Sequence, residues 1–441
     1  VRRVVGVPAR SSSSPDEVRG TSIPARPMPV TPAAGALGSV FCRSPTLLHR
    51  KAVGRYGAEP SAIMENARAV TERPPRGSPA MSLRFTLQPN PAPTSAERRA
   101  EILTDPKFGQ YFTDHMARAV WTADRGWNDA VVVPFAPIPM HPGAAVLHYA
   151  QEIFEGMKAY RHADGSVWTF RPEANGERFA RSARRLALPE LPLPAFLESV
   201  TALVRADEVW VPTGEEQSLY LRPFMFASEA FFGVRPAAEV TYMVIASPVG
   251  PYFSGGVKPV SIWLSREYTR AGRGGTGAAK CGGNYAASLA PMLEAGEHGC
   301  DQVCFLDGTE GRYVEELGGM NLFFVTDDGR LVTPELGTIL EGVTRASILA
   351  LAKEMGLDVE ERAVEITEWQ EGARTGAIRE VFACGTGAAV TPVGRLVWTD
   401  GEVVAPDTGA EDSVTMRLRR RLVDLQFGRA EDPHGWMRRL V

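Results

Sequence analysis

The chain reads as an α/β (α+β) fold in two domains, preceded by an extension of different character. Three observations carry this reading. From Ser82 onward, short β-branched runs alternate with amphipathic helical stretches, the pattern of sheets covered by helices. A segment dense in proline and glycine, Pro248-Val249-Gly250-Pro251-Tyr252-Phe253-Ser254-Gly255-Gly256, splits that region into two nearly equal halves. Residues 1–80 instead carry four consecutive serines, Ser11 to Ser14, many prolines and arginines, few acids and no periodic apolar pattern. The expected division is an extension over 1–80, a smaller N-terminal domain over 81–248, a connecting loop over 249–259 and a larger C-terminal domain over 260–441.

The extension cannot bury enough apolar surface to offset the entropy of ordering it. It is read as disordered or non-native, with Met81 or Met64 as the start; its arginine excess leaves a targeting peptide as the other reading. Val146 to Tyr160 is a mixed apolar stretch, and Asp164-Gly165 is a turn between two strand-like runs. Glu173 to Leu188 predicts an arginine-rich amphipathic helix. Val240 to Ser247 is a buried strand by its β-branched content. Beyond the loop, Val260 to Ser265, Gln302 to Asp307 and Asn321 to Thr326 read as strands. Thr344 to Met355 reads as a helix with Gly356 as its stop. Val381 to Cys384 is a short strand ending at Gly385-Thr386-Gly387, and Asp412 to Phe427 is a closing helix.

Composition narrows the function. The 48 basic and 52 acidic residues give a net charge of −4, which is no footprint for nucleic acid. No uninterrupted apolar run reaches the roughly 18 residues of a membrane-spanning helix, so no membrane partner is expected. The five cysteines, Cys42, Cys281, Cys300, Cys304 and Cys384, are too sparse for a disulfide framework and suit a reducing, cytoplasmic setting. Cys300 and Cys304 are spaced too widely for a redox pair and read as small apolar fillers of a strand.

The lysines are few: Lys51, Lys107, Lys158, Lys258, Lys280 and Lys353. Lys280 stands apart, in Gly272-Arg273-Gly274-Gly275-Thr276-Gly277-Ala278-Ala279-Lys280-Cys281-Gly282-Gly283-Asn284-Tyr285. Small residues on both sides let a planar ligand approach the backbone. A lysine buried there would form a Schiff base with an aldehyde; an exposed lysine in a flexible loop is the other reading, and spacing alone does not decide. A pyridoxal phosphate site also needs an acid for the ring nitrogen and a phosphate cradle. Glu315-Glu316 offers two acids, and Gly342-Val343-Thr344 and Gly385-Thr386-Gly387 offer two backbone turns.

With these motifs the chain resembles the branched-chain amino acid aminotransferases of the fold-type IV pyridoxal-phosphate enzymes, from Phe108 to Trp436. The resemblance is carried by Phe112-Thr113-Asp114-His115-Met116, Phe154-Glu155-Gly156-Met157-Lys158-Ala159-Tyr160, Phe170-Arg171-Pro172, Tyr220-Leu221-Arg222-Pro223, Lys280 to Tyr285, and Glu316-Leu317-Gly318-Gly319-Met320-Asn321. It implies pyridoxal 5'-phosphate between the two domains, a homodimer, and amino transfer from leucine, isoleucine or valine to 2-oxoglutarate, giving glutamate. It implies that Lys280 carries the cofactor and shuttles the proton, that Tyr285 bonds the ring's phenolate oxygen, and that Glu316 rather than Glu315 pairs with the ring nitrogen. Arg171, with the N–H groups of Val343 and Thr344, would hold the phosphate. Thr386 and Gly387 match the turn that receives the substrate carboxylate and phosphate-side contacts. Phe112, Tyr149, Phe154 and Tyr252 match positions that wall the side-chain pocket, and Arg222 the arginine that meets glutamate's distal carboxylate.

Two positions depart from the family. Gly319 stands where some members carry a threonine that touches the carboxylate. Ala388 and Thr391 stand where some carry a Cys-x-x-Cys redox pair. Rivals on the same fold are a D-amino acid aminotransferase and a lyase acting on aminodeoxychorismate; Phe154 to Lys158 and the aromatic set argue against both. Joint retention of Lys280, Tyr285 and Glu316 argues against a catalytically silent binding protein.

Overall fold

The structure is a computed structural model that describes residues 83–251 and 256–441. The expectations for residues 1–80 and for Tyr252 lie outside the described residues. The first half begins with β1 (Thr86–Leu87), α1 (Ala96–Thr104), β2 (His115–Thr122), β3 (Gly126–Pro134) and the short α2 (Ala145–Tyr149). It continues through β4 (Glu152–Phe154), β5 (Met157–Arg161), β6 (Val167–Phe170), α3 (Pro172–Arg185), α4 (Leu193–Ala206), β7 (Ser218–Ala227) and β8 (Glu239–Val249). The second half opens with β9 (Val260–Leu264), α5 (Gly282–Ala286), α6 (Leu289–Glu297), β10 (Gln302–Leu306), β11 (Val314–Leu317), β12 (Asn321–Thr326) and β13 (Leu331–Thr333). It ends with α7 (Val343–Glu354), β14 (Val359–Glu361), α8 (Ile366–Thr375), β15 (Ile378–Gly385), β16 (Ala389–Trp398), β17 (Gly401–Val404), α9 (Val414–Gln426) and β18 (Met437–Arg439).

Among the described residues, two nine-stranded sheets result. The first runs β1-β3-β2-β8-β7-β5-β6-β18, with β4 on β7; the second runs β11-β10-β9-β16-β15-β12-β13-β14, with β17 beside β16. The first is antiparallel except for the β1–β3 pair. The last strand, β18, pairs with β6 and so returns the chain to the first sheet.

Side-chain alternation gives each sheet two faces. Met157, Ala159, Leu219, Leu221 and Met225 turn to one face of the first sheet and bury against Phe179 of α3 and Phe196, Val200 and Leu203 of α4. On the opposite face, Tyr160 and Phe170 pack with Phe323, Phe382, Ile348 of α7, and Leu418, Leu422 and Leu425 of α9. This second core joins the two sheets. A third, containing Trp369 and Ala373 of α8, lines the far side of the second sheet.

The strands expected over 240–247, 260–265, 302–307 and 321–326 are present, as are the helices expected over 173–188, 344–355 and 412–427, with ends shifted by at most three residues. The stretch Val146 to Tyr160 divides into α2, β4 and β5. Ala150 takes a left-handed conformation (φ 48°) that ends the helix, and at Gly156 the Tyr220 hydroxyl leaves no room for a side chain. The strand read at 381–384 is longer, Ile378–Gly385. Among the described residues no helix is long and apolar enough to cross a membrane, and no group of three or more His, Cys, Asp or Glu side chains could hold a metal ion.

Candidate active site

Residues directly opposed in an antiparallel pair share a face. Glu152 and Phe154 of β4 oppose Phe226 and Phe224 of β7, and Lys158 of β5 opposes Tyr220. Glu152, Phe154, Lys158, Tyr220, Arg222 and Phe224 therefore lie on one face of the first sheet, opposite α3 and α4. Arg222 Nη2 donates to the Tyr220 hydroxyl at 3.0 Å. Its guanidinium carbon lies 4.6 Å from the Phe154 ring centre and 5.3 Å from that of Tyr220. Its Nε is buried without a hydrogen-bond partner.

Lys280 reaches this face from the glycine-rich segment ahead of α5. The segment is not loose. The Lys280 N–H donates to Ser182 Oγ of α3 (2.9 Å), and its carbonyl accepts from the Phe154 N–H (2.9 Å). Asn284 Nδ2 donates to the carbonyls of Thr276 (2.9 Å) and Ala279 (2.8 Å). A Cβ at Gly277 would run into the Thr338 carbonyl oxygen, so only glycine fits there. These anchors exclude the flexible-loop reading. The half-buried Lys280 Nζ donates to the Tyr285 hydroxyl at 2.6 Å and lies 4.9 Å from the Phe154 ring centre.

Glu315 and Glu316 are consecutive on β11 and find different partners. Glu315 accepts from Thr338 Oγ1. Glu316, 2% exposed, holds Arg270 Nη1 at 3.0 Å and the Leu340 N–H at 2.8 Å, both through Oε1. Its Oε2 meets only Asn321 Nδ2, at 3.5 Å. Burial, opposed by the Arg270 charge, pushes the Glu316 carboxyl up to about 7; the charge of Lys280 also reaches it.

Helix α7 begins at Gly342, which offers no side-chain cap, so its first-turn N–H groups are open to an outside acceptor. Arg171 comes to the same helix: its Nη1 donates to Ser347 Oγ at 2.8 Å, and its guanidinium lies over Trp436 at 4.9 Å. Arg178 of α3 joins the two sides. It makes a two-bond pair with the fully buried Glu155, 2.8 Å at each oxygen, and donates to the Glu341 carbonyl at 3.0 Å. Thr386 and Gly387 form the turn of the β15–β16 hairpin, and Lys158 Nζ donates to the Gly387 carbonyl at 2.7 Å.

The structure thus gathers Lys280, Tyr285 and Phe154 in mutual contact, with Arg222 against Phe154 and Glu316 within electrostatic reach of Lys280. A Cβ at Gly319 would stand 3.6 Å from the Tyr285 ring, in ordinary contact. Phe112 and Tyr149 make their contacts elsewhere: Phe112 stacks on Phe135 (4.9 Å), and the Tyr149 hydroxyl donates to the Phe232 carbonyl. Sequence reasoning gave no role to Arg178, Arg270, Asn321, Tyr220 or Glu152. The available signal for Tyr220 was its two-residue spacing from Arg222 on a strand.

The model of the amino-transferase class IV family matches residues 152–396, more than half of the chain. A branched-chain-amino-acid aminotransferase of Mycolicibacterium smegmatis is 56% identical over 363 residues, covering 81% of this chain and 98% of that protein. One of Mycobacterium tuberculosis is 54% identical over 364 residues, covering 81% and 99%. Among solved structures, the branched-chain amino acid aminotransferase of Escherichia coli has a TM-score of 0.61 at 29% identity, covering 74% of this chain and 100% of that one. The branched-chain amino acid aminotransferase of Thermobaculum terrenum, solved in its PLP-bound holo form, has a TM-score of 0.59 at 26% identity, covering 73% and 98%. With the matched region spanning both sheets and every side chain of the Lys280 cluster, the chain belongs to the class IV amino-transferases, in the family of the branched-chain-amino-acid aminotransferases.

Proposed function

We propose that this enzyme moves an amino group reversibly from L-leucine, L-isoleucine or L-valine to 2-oxoglutarate, giving the branched 2-oxo acid and L-glutamate, with pyridoxal 5'-phosphate carried on Lys280. One observation carries the reading: the Lys280 amine, fixed at both sides of its backbone, meets a phenol, an aromatic wall and an arginine on one sheet face.

The residues present fit the cofactor. Glu316 keeps one buried carboxylate oxygen with a single long contact, which suits a protonated ring nitrogen. The open N–H groups of Val343 and Thr344, with Arg171 on the same helix, suit a phosphate. Bound pyridoxal phosphate supplies an aldehyde that takes up amines and a ring that accepts the electron pair released at the amino acid's Cα.

The chain's own residues do the rest. The Lys280 amine carries the proton at Cα, and the Tyr285 hydroxyl holds that amine in place. Glu316 would keep the ring nitrogen protonated through its Oε2 while Arg270 secures its Oε1. Thr386, Gly319 and Gly387 would meet the carboxylate and phosphate side. Phe154 would wall the apolar side chain and exclude water, and Arg222 would receive the distal carboxylate of glutamate. The two sheets support domains over 81–248 and 260–441, except that β18 returns to the first sheet. Exposed Phe112, Phe135, Ile138, Met140, Leu147 and Tyr149 support a homodimer that covers them. Buried free cysteines support a reducing, cytoplasmic setting.

Holoenzyme supplied with glutamate and a panel of 2-oxo acids tests the proposal. The branched 2-oxo acids should turn over fastest. Preference for unbranched acids, or for D-glutamate as donor, overturns it.

A further inference from the structure

Arg222 is a cation without a direct ion pair among the described residues, and a carboxylate, Glu152, shares its sheet face with only the Phe154–Phe224 row between them. Glu152 and Phe154 are two residues apart on β4 and share the face that carries Arg222. The Arg222 guanidinium lies over the Phe154 ring, the next side chain along that face from Glu152. Glu152 is fixed there: its Oε1 accepts from the N–H of Gly282, two residues beyond Lys280. The half-buried carboxyl has its pKa raised by burial, opposed by the Gly282 N–H and by the charge of Arg222.

We propose that Glu152 sets how strongly the site favours a dicarboxylic over an apolar amino acid, as a fixed counter-charge on the sheet face it shares with Arg222. The inference rests on the reading of Arg222 as the group that meets glutamate's distal carboxylate. A carboxylate arriving at Arg222 is drawn by the guanidinium and repelled by Glu152. An apolar side chain brings no charge, and for it Glu152 offsets the isolated cation that would otherwise face a hydrophobic group. One pocket thereby accepts both substrate classes, with neither shut out by a single dominant charge.

The test is single-turnover kinetics of holoenzyme with glutamate and with leucine, measured separately. Glu152→Gln keeps an oxygen for the Gly282 N–H and removes only the charge. The ratio of kcat/KM for glutamate over leucine should rise about tenfold, the order expected when one like charge within Coulombic reach is removed at intermediate screening. Glu152→Asp keeps the charge and should hold the ratio within about threefold of wild type. A purely structural role for Glu152, acting through the Lys280 segment, would lower both rates together. An unchanged or lower ratio in Glu152→Gln therefore overturns the proposal, whatever the absolute rates do. If that variant does not fold, the neutral Glu152→Ser answers the same question with the same expected direction. A wild-type enzyme inert toward glutamate, or an Arg222→Ala enzyme with an undiminished glutamate rate, refutes the reading of Arg222 itself. A glutamate rate that depends on Arg222 with a ratio unmoved by Glu152→Gln refutes this inference alone.

Discussion

Glu316 Oε1 lies 3.0 Å from Arg270 Nη1, and both side chains are almost closed to solvent. A buried acid whose carboxyl is pushed up to about 7 depends on its cation to stay ionised near neutral pH. Arg270→Met should therefore destabilise the fold by about 3–5 kcal/mol, the usual cost of breaking a buried pair from one side. It should also move the acidic limb of the kcat/KM profile to higher pH, because Glu316 then holds its own proton instead of one on the ring nitrogen. Arg270→Lys should recover part of both. Thermal unfolding and a pH–rate series check this; a profile unmoved in Arg270→Met contradicts it.

Arg222→Ala should give an asymmetric defect. The half-reaction with glutamate or 2-oxoglutarate should lose about 2 kcal/mol or more of transition-state stabilisation, as loss of a charged hydrogen bond does. The half-reaction with leucine or valine should change much less. Equal losses in both halves would show that Arg222, which also bonds Tyr220 and stacks on Phe154, only braces the sheet.

Much of the fold was legible where pattern is local. The turn at Asp164-Gly165 and helix α3 follow from residues adjacent in sequence. Helix α4 was not read from the sequence: Pro192 and Pro194 sit at its start, where a missing N–H is harmless, and Phe196, Val200 and Leu203 bury its inner face. The hairpin β2–β3 was missed because its residues alternate poorly between buried and exposed. In the site, Lys280, Tyr285 and Glu316 were legible as members of motifs. Arg178 was not, since α3 also carries Arg181, Arg184 and Arg185 and reads as a solvated face; only its pairing with Glu155 across the sheet distinguishes it. Arg270 was hidden for the same reason, its partner lying far along the chain.

Lys158 gives a pH test of folding. Burial, opposed by Glu216 and aided by Arg419, lowers its ammonium from 10.5 to about 8. Between those values the unfolded chain holds a proton that the folded chain has released, so stability rises with pH across that window. Lys158→Met lacks this contribution. The melting temperature of wild type relative to Lys158→Met should climb from about pH 8 to about pH 10.5. A constant difference between the two contradicts the lowered ammonium pKa.

Mild peroxide should leave activity largely unchanged. Cys281, Cys300, Cys304 and Cys384 are free and buried. Burial pushes Cys384 up to about 12 and raises Cys300 and Cys304 as well, so the reactive thiolate is scarce. Ala388 and Thr391 leave the β15–β16 hairpin without a cysteine pair. Reversible inactivation rescued by a thiol would contradict this.

The identity of the lysine that carries the cofactor is the centre of the account, and borohydride reduction of the holoenzyme followed by peptide mapping reads it directly. The reduced cofactor should be found on the peptide containing Lys280, and Lys280→Ala should give unlabelled protein with transamination lowered by several orders of magnitude. Label on Lys158, or near-normal turnover in Lys280→Ala, would contradict it.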